Sequence, residues 1–130
     1  MKPEEAKAVV KEVTFKDGLV PAIARDAENK DILMVGWMNE EALEKTLTTG
    51  RMTYWSRSRG KLWRKGEESG HFQTVKGVWI DCDGDVLLFD IDQKGSACHK
   101  GYRSCFYRKL EKGEFVEALE KDFDPSEVYG

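Results

Sequence analysis

The sequence predicts a β-rich α+β domain: a compact mixed or antiparallel sheet, or a barrel-like core, with two or three short helices. Three observations carry this expectation. Apolar residues fall in short runs separated by Gly, Asn and Asp turn signals, which suits strands better than long helices. Two amphipathic segments carry helix start and stop residues. At 130 residues the chain has the length of one ordinary domain, so a single unit over 1–130 is expected, without room for a second core.

The elements follow in order. Residues 3–12 read as an amphipathic helix, with Pro3 tolerated in its first turn. Leu19–Ala27 and Ile32–Trp37 read as strands joined by the polar turn Glu28–Asp31. Asn39 is an N-cap, Glu40 and Glu41 suit the helix dipole, Leu43 and Leu47 share a face, and Gly50 is the stop. Arg51–Arg57 alternates as a strand would, and Ser58–Gly70 reads as a loop rich in Gly, Lys and Arg. Phe72–Cys82 and Val86–Ile91 flank Asp83-Gly84, a hairpin signal. Gln93–Ser104 reads as a loop. Cys105–Leu110 and Glu114–Leu119 flank a turn at Lys112-Gly113, with the second of them helix-compatible.

Composition excludes several classes. Apolar residues at 40% argue against disorder, and a net charge of −3 gives no global attraction to nucleic acid or membrane. No apolar run reaches the roughly 20 residues of a membrane span, and the N-terminus lacks a signal-peptide core. Three cysteines without a secretion signal imply reduced thiols and a cytoplasmic location. Charge is nevertheless segregated. Arg51 to Lys65 holds six basic residues and no acid, whereas Asp81 to Asp92 holds five aspartates and no base.

Three stretches could carry chemistry. In Asp81-Cys82-Asp83-Gly84-Asp85 the carboxylates recur at alternate positions, so an extended backbone would put them on one side, where Mg²⁺ finds oxygen ligands. Cys82 would then point the other way, with a thiolate suited to zinc. An EF-hand is excluded, because its sixth and twelfth positions are Val86 and Asp92. In Cys98-His99 with Cys105, the cysteine spacing is not that of a zinc knuckle. With Cys82 they make three thiolates, one short of a closed tetrahedral site, and a catalytic zinc keeps that fourth position for water. His99 is the better placed of the two histidines for proton transfer, while His71 caps or packs at a strand start. From Tyr54 to Gly66, Arg57, Arg59, Lys61 and Lys65 offer phosphate contacts, Ser58 a donor, and Trp55 or Trp63 a surface for a base. The same run resembles a single-stranded RNA surface. A structural zinc dimer closed by His99 is a further alternative. There is no P-loop, no dinucleotide fingerprint and no nucleobase-deaminase signature.

Taken together, these stretches resemble the phosphoribosyl-AMP cyclohydrolase family. The resemblance rests on Met34–Asn39, Thr53–Arg59, Leu62–His71, Asp81–Asp85, Ala97–His99 and Arg103–Arg108, in that order. It implies a zinc- and magnesium-dependent hydrolase that opens the N1–C6 bond of an adenine ring in histidine biosynthesis. It further implies an intertwined homodimer with shared active sites, acting on a small-molecule nucleotide. In such a dimer Cys82 comes from one subunit and Cys98 and Cys105 from its partner. Asp81, Asp83 and Asp85 match magnesium-binding positions.

Overall fold

The computed structural model describes residues 1–122, so residues 123–130 of the expected single domain lie outside the described part. Its elements run α1 (Pro3–Lys11), β1 (Val20–Asp26), β2 (Ile32–Met38), α2 (Glu40–Thr49), β3 (Thr53–Ser56), β4 (Lys61–Arg64), β5 (Gln73–Ile80), β6 (Leu87–Gln93), β7 (Arg108–Glu111) and β8 (Glu114–Glu117). Four strands form one sheet in the order β2-β1-β6-β5. β1 pairs antiparallel with β2 and parallel with β6, while β5 pairs antiparallel with β6. The sheet is therefore mixed, as expected. It is not a barrel: β2 and β5 end it as edges, and β3–β4 and β7–β8 form separate two-stranded ribbons.

Alternation decides which face is buried. Val20, Ala22, Ala24 and Asp26 of β1 point into the core, where Leu87, Phe89 and Ile91 of β6 join them. α2 closes this face with Leu43 and Leu47, and α1 packs on α2 through an apolar side holding Ala6 and Val10. The start of α2 is fixed by the Asn39 side chain, which accepts a hydrogen bond from the Ala42 amide at 2.8 Å. Gly50 ends the helix at φ 74°, a conformation that glycine adopts without strain.

Two expected elements are corrected. Lys61–Arg64, read as loop, is β4, because pairing with β3 in the register Tyr54↔Trp63 and Trp55↔Leu62 fixes it. Glu114–Leu119, read as helix-compatible, contributes β8, paired with β7 across the Lys112-Gly113 turn. Two α-helices are thus present among the described residues.

The second face of the sheet carries an apolar row across all four strands: Val35, Ile23, Leu88 and Trp79 occupy matching register positions. Val35 and Trp79 are exposed. Beside this row, Arg25 grips Asp90 through Nε at 2.7 Å and Nη2 at 3.2 Å, and Trp79 donates its indole N–H to the same carboxylate at 2.8 Å. These bonds, led by that from Arg25, hold the Asp90 carboxyl down at about 2.

Candidate metal and substrate site

Cys98 and Cys105 sit on one irregular segment following β6. A turn closes it, with the Cys98 amide donating to the Tyr102 carbonyl at 3.1 Å and the Gly101 amide returning to the Cys98 carbonyl at 3.1 Å. Gly101, at φ 97°, permits that reversal. The segment is tied to β2 at its far end: the Cys105 amide donates to the Leu33 carbonyl at 2.7 Å, and the Ser104 hydroxyl to the Ile32 carbonyl at 2.8 Å. Arg103 pairs with Asp26 at the end of β1. These long-range ties fix both cysteines relative to the sheet, although the sequence marks the region as loop.

Cys98 is buried and Cys105 keeps an exposed surface, and the two thiols lie close enough to influence each other's ionisation. Burial, and then the neighbouring Cys98, push the Cys105 thiol up to about 12, with Lys65 opposing them. Two thiols that resist each other's ionisation, beside a cation, are a donor pair suited to a soft divalent ion. Cys82 is exposed and does not join them. Among the described residues, Asp81, Asp83 and Asp85 are the one group of three or more candidate ligands whose donor atoms lie within 4.8 Å of one another. Three convergent sulfurs are therefore not supplied by one chain.

The three aspartates do come together, but for a different reason from strand alternation. β5 ends at Ile80, and residues from Asp81 onward form a turn, with the Gly84 amide donating to the Asp81 carbonyl at 3.1 Å. One Asp81 carboxylate oxygen accepts from the amides of Asp85 at 2.9 Å and Val86 at 3.2 Å. Desolvation works against the charged Asp81, but these bonds keep its carboxyl below the usual range. Asp85 moves the other way, pushed up by its hydrogen bond with Asp81, by desolvation and by the charges of Asp81 and Asp83. Such crowding of carboxylates is what a hard cation would relieve.

A cleft of about 430 Å³ opens between the β3–β4 ribbon and the cysteine segment, and His99 lines it together with Arg59, Lys61, Trp63 and Lys65. Period-two geometry sorts the expected substrate residues. Trp63 and Lys61 share a ribbon face with Tyr54, whose ring lies 5.6 Å from that of Trp63. Trp55 lies on the opposite face with Leu62, and of these two only Leu62 reaches the cleft. Arg57 stacks over Trp37 at 4.6 Å, and Ser58 sits in the ribbon turn with its hydroxyl 3.4 Å from that of Ser56. Trp55, Arg57 and Ser58 do not line the cleft. Lys65 departs furthest from a solvated phosphate ligand, because it is buried and donates to the Ala97 carbonyl.

Sequence reasoning undervalued two supports. His71 Nδ1 lies 3.2 Å from the Ser96 carbonyl oxygen, and its ring packs so closely that a Cβ on Gly95 would fall 2.5 Å from it. The buried Tyr54 hydroxyl donates to Gln73 at 2.7 Å, and Gln73 passes a bond to Gln93 at 2.8 Å, linking ribbon and sheet. Both are non-local, so no motif announces them.

A family model described as phosphoribosyl-AMP cyclohydrolase matches residues 34–107, which span the ribbon, the cleft, the aspartate turn and both clustered cysteines. A phosphoribosyl-AMP cyclohydrolase of Marinobacter nauticus is 58% identical over 116 residues, covering 88% of this chain and 84% of the relative. One from Chlorobaculum parvum is 55% identical over 126 residues, covering 95% and 92%. One from Methanothermobacter thermautotrophicus is 54% identical over 116 residues, covering 88% and 84%.

Proposed function

This chain belongs to the phosphoribosyl-AMP cyclohydrolase family, and from that premise we propose that it hydrolyses the N1–C6 bond of the adenine ring of 1-(5-phosphoribosyl)-AMP, a step of histidine biosynthesis in the cytoplasm. The observation that carries the reading is the coupling of the Cys98 and Cys105 thiols beside a cleft lined by Trp63, Arg59, Lys61, Glu67, Glu68 and His99.

The residues divide the work. Arg59 and Lys61 present cations to phosphate at the cleft mouth, and Trp63 offers an aromatic face to the base. Cys98 and Cys105 hold zinc from one chain, and Cys82 completes the set from a second copy. When bound there, zinc supplies Lewis acidity that activates and orients a water. The water oxygen bonds to C6 and the C6–N1 bond breaks; as that oxygen becomes the carboxamide carbonyl it gives up both protons, one reaching N1 and the other the exocyclic nitrogen or solvent. His99, at the cleft wall, is the group placed to carry a proton from that oxygen to N1. Asp81, Asp83 and Asp85 hold Mg²⁺.

A homodimer with shared sites accounts for two features at once. It supplies the sulfur that a single chain lacks, and it gives the Val35–Ile23–Leu88–Trp79 row a surface against which to be buried.

The test is ring opening of phosphoribosyl-AMP, followed with and without a zinc chelator. Turnover that chelation abolishes and zinc restores is the expected result. A protein that never opens the ring, or does so equally well after chelation, contradicts the proposal.

A further inference from the structure

The cleft has two walls that come from distant parts of the chain. Trp63 stands on the β3–β4 ribbon, and His99 stands on the cysteine segment after β6. One chain of polar groups runs between them. The Tyr54 ring lies 5.6 Å from that of Trp63, and its hydroxyl donates to Gln73 Oε1 at 2.7 Å. Gln73 Nε2 donates to Gln93 Oε1 at 2.8 Å, and Gln93 Nε2 donates to the carbonyls of Lys94 at 3.0 Å and His71 at 3.3 Å. The His71 ring then meets the backbone of Ser96, with Nδ1 3.2 Å from its carbonyl oxygen, just ahead of Cys98 and His99.

Gln73 opens β5 in a place that water does not reach, since the residue is 0% exposed. A primary amide there is costly unless both of its ends are bonded. An apolar side chain of the same length would fill the space without that requirement, so packing alone does not explain the residue. What an amide adds is direction. Its oxygen accepts from the ribbon and its nitrogen donates towards the sheet, so it fits one arrangement of the two. The Tyr54 end is confined as well, because the ring lies where a Cβ on Gly36 would fall 2.5 Å from it.

We infer that Gln73 is a positioning residue for the reaction: its amide, clamped between Tyr54 and Gln93, sets the cleft wall bearing Trp63 against the wall bearing His99. Gln73 does not line the cleft, and it acts through the Tyr54 ring at one end and through Gln93 and His71 at the other. This inference rests on the proposed ring opening and adds to it the part that fixes the base relative to the proton carrier. Misplacing reacting groups by about 1 Å can cost on the order of 100-fold in rate.

The experiment compares wild type with Gln73→Met and Tyr54→Phe, full-length and supplied with zinc. It follows steady-state ring opening of phosphoribosyl-AMP, amide hydrogen exchange by NMR and the melting temperature. Gln73→Met keeps the side chain's length and removes both bonds, whereas Tyr54→Phe keeps the ring and removes its bond to Gln73. Both should fold, with kcat lowered about tenfold or more by Gln73→Met and about threefold or more by Tyr54→Phe. The Ala97 and Cys98 amides, which donate to Arg103 and Tyr102, should exchange about tenfold faster in Gln73→Met while amides of β1 and β6 keep their rates. In the double variant, losing the hydroxyl should add less than it costs alone, because the pair acts as one unit. A lower melting temperature with kcat, KM and exchange all within about twofold of wild type overturns the inference and leaves Gln73 a packing residue. A wild-type protein that opens no ring overturns the functional reading alone, and the exchange rates then decide this inference. Should Gln73→Met not fold, a folded Tyr54→Phe with unchanged kcat and unchanged exchange overturns it.

Discussion

At the scale of single residues, the chemistry concentrates in side chains whose neighbours constrain their charge. Cys98 is the buried member of the thiol pair, so Cys98→Ala should remove bound zinc and lower ring-opening turnover by more than about 100-fold, since losing a ligand exceeds losing its support. Metal analysis beside the assay checks it, and full turnover without zinc would refute the role. Asp90 makes a pH prediction. Its carboxyl is held at about 2 when folded, below the roughly 3.9 of an unfolded chain, so its stabilisation is complete above that higher value and is lost as pH falls toward the lower one. Thermal melts from pH 5 to pH 2 should show a shallower acid decline in Asp90→Asn than in wild type. Gly36 is required by shape, because a Cβ there would lie 2.5 Å from Tyr54 Cδ1. Gly36→Ala should cost about 1–3 kcal/mol in denaturant unfolding. The cysteines and His99 stand out in the sequence because their residue types carry chemistry at any position. The burial of Lys65 does not, because it depends on Ala97, 32 residues away.

At the scale of elements, local signals succeeded where the structure is locally determined. Asn39 and Gly50 bound α2 as their chemistry requires, and Asn39→Ala should cost about 1 kcal/mol by losing the bond to the Ala42 amide. Chemical denaturation of the single variant measures it, and an unchanged midpoint would show the cap to be idle. β4 was missed because Lys61 and Arg64 give its segment the composition of a loop, while its strand character comes from pairing with β3. β8 is four residues long, too short for periodicity to separate strand from helix. The parallel pairing of β1 with β6 joins residues that adjoin only after α2 and the ribbon have been traversed, so no hairpin signal marks it. The aspartates converge as expected, but through a turn after β5 rather than along a strand.

At the scale of the whole molecule, the open sheet and the lone Cys82 point the same way. One chain exposes an apolar row and separates Cys82 from the other two cysteines, so the proposed zinc site is complete only between two copies. The expectation of a dimer comes only from the family resemblance, since no single-chain pattern encodes which surface meets a second copy. Mixing subunits tests this most directly. Cys82→Ala and Cys105→Ala homodimers should each be inactive, and refolding them together should restore ring opening through the one intact site of each mixed dimer. Mixed dimers, verified by mass, that stay as inactive as either parent would contradict a site shared between chains.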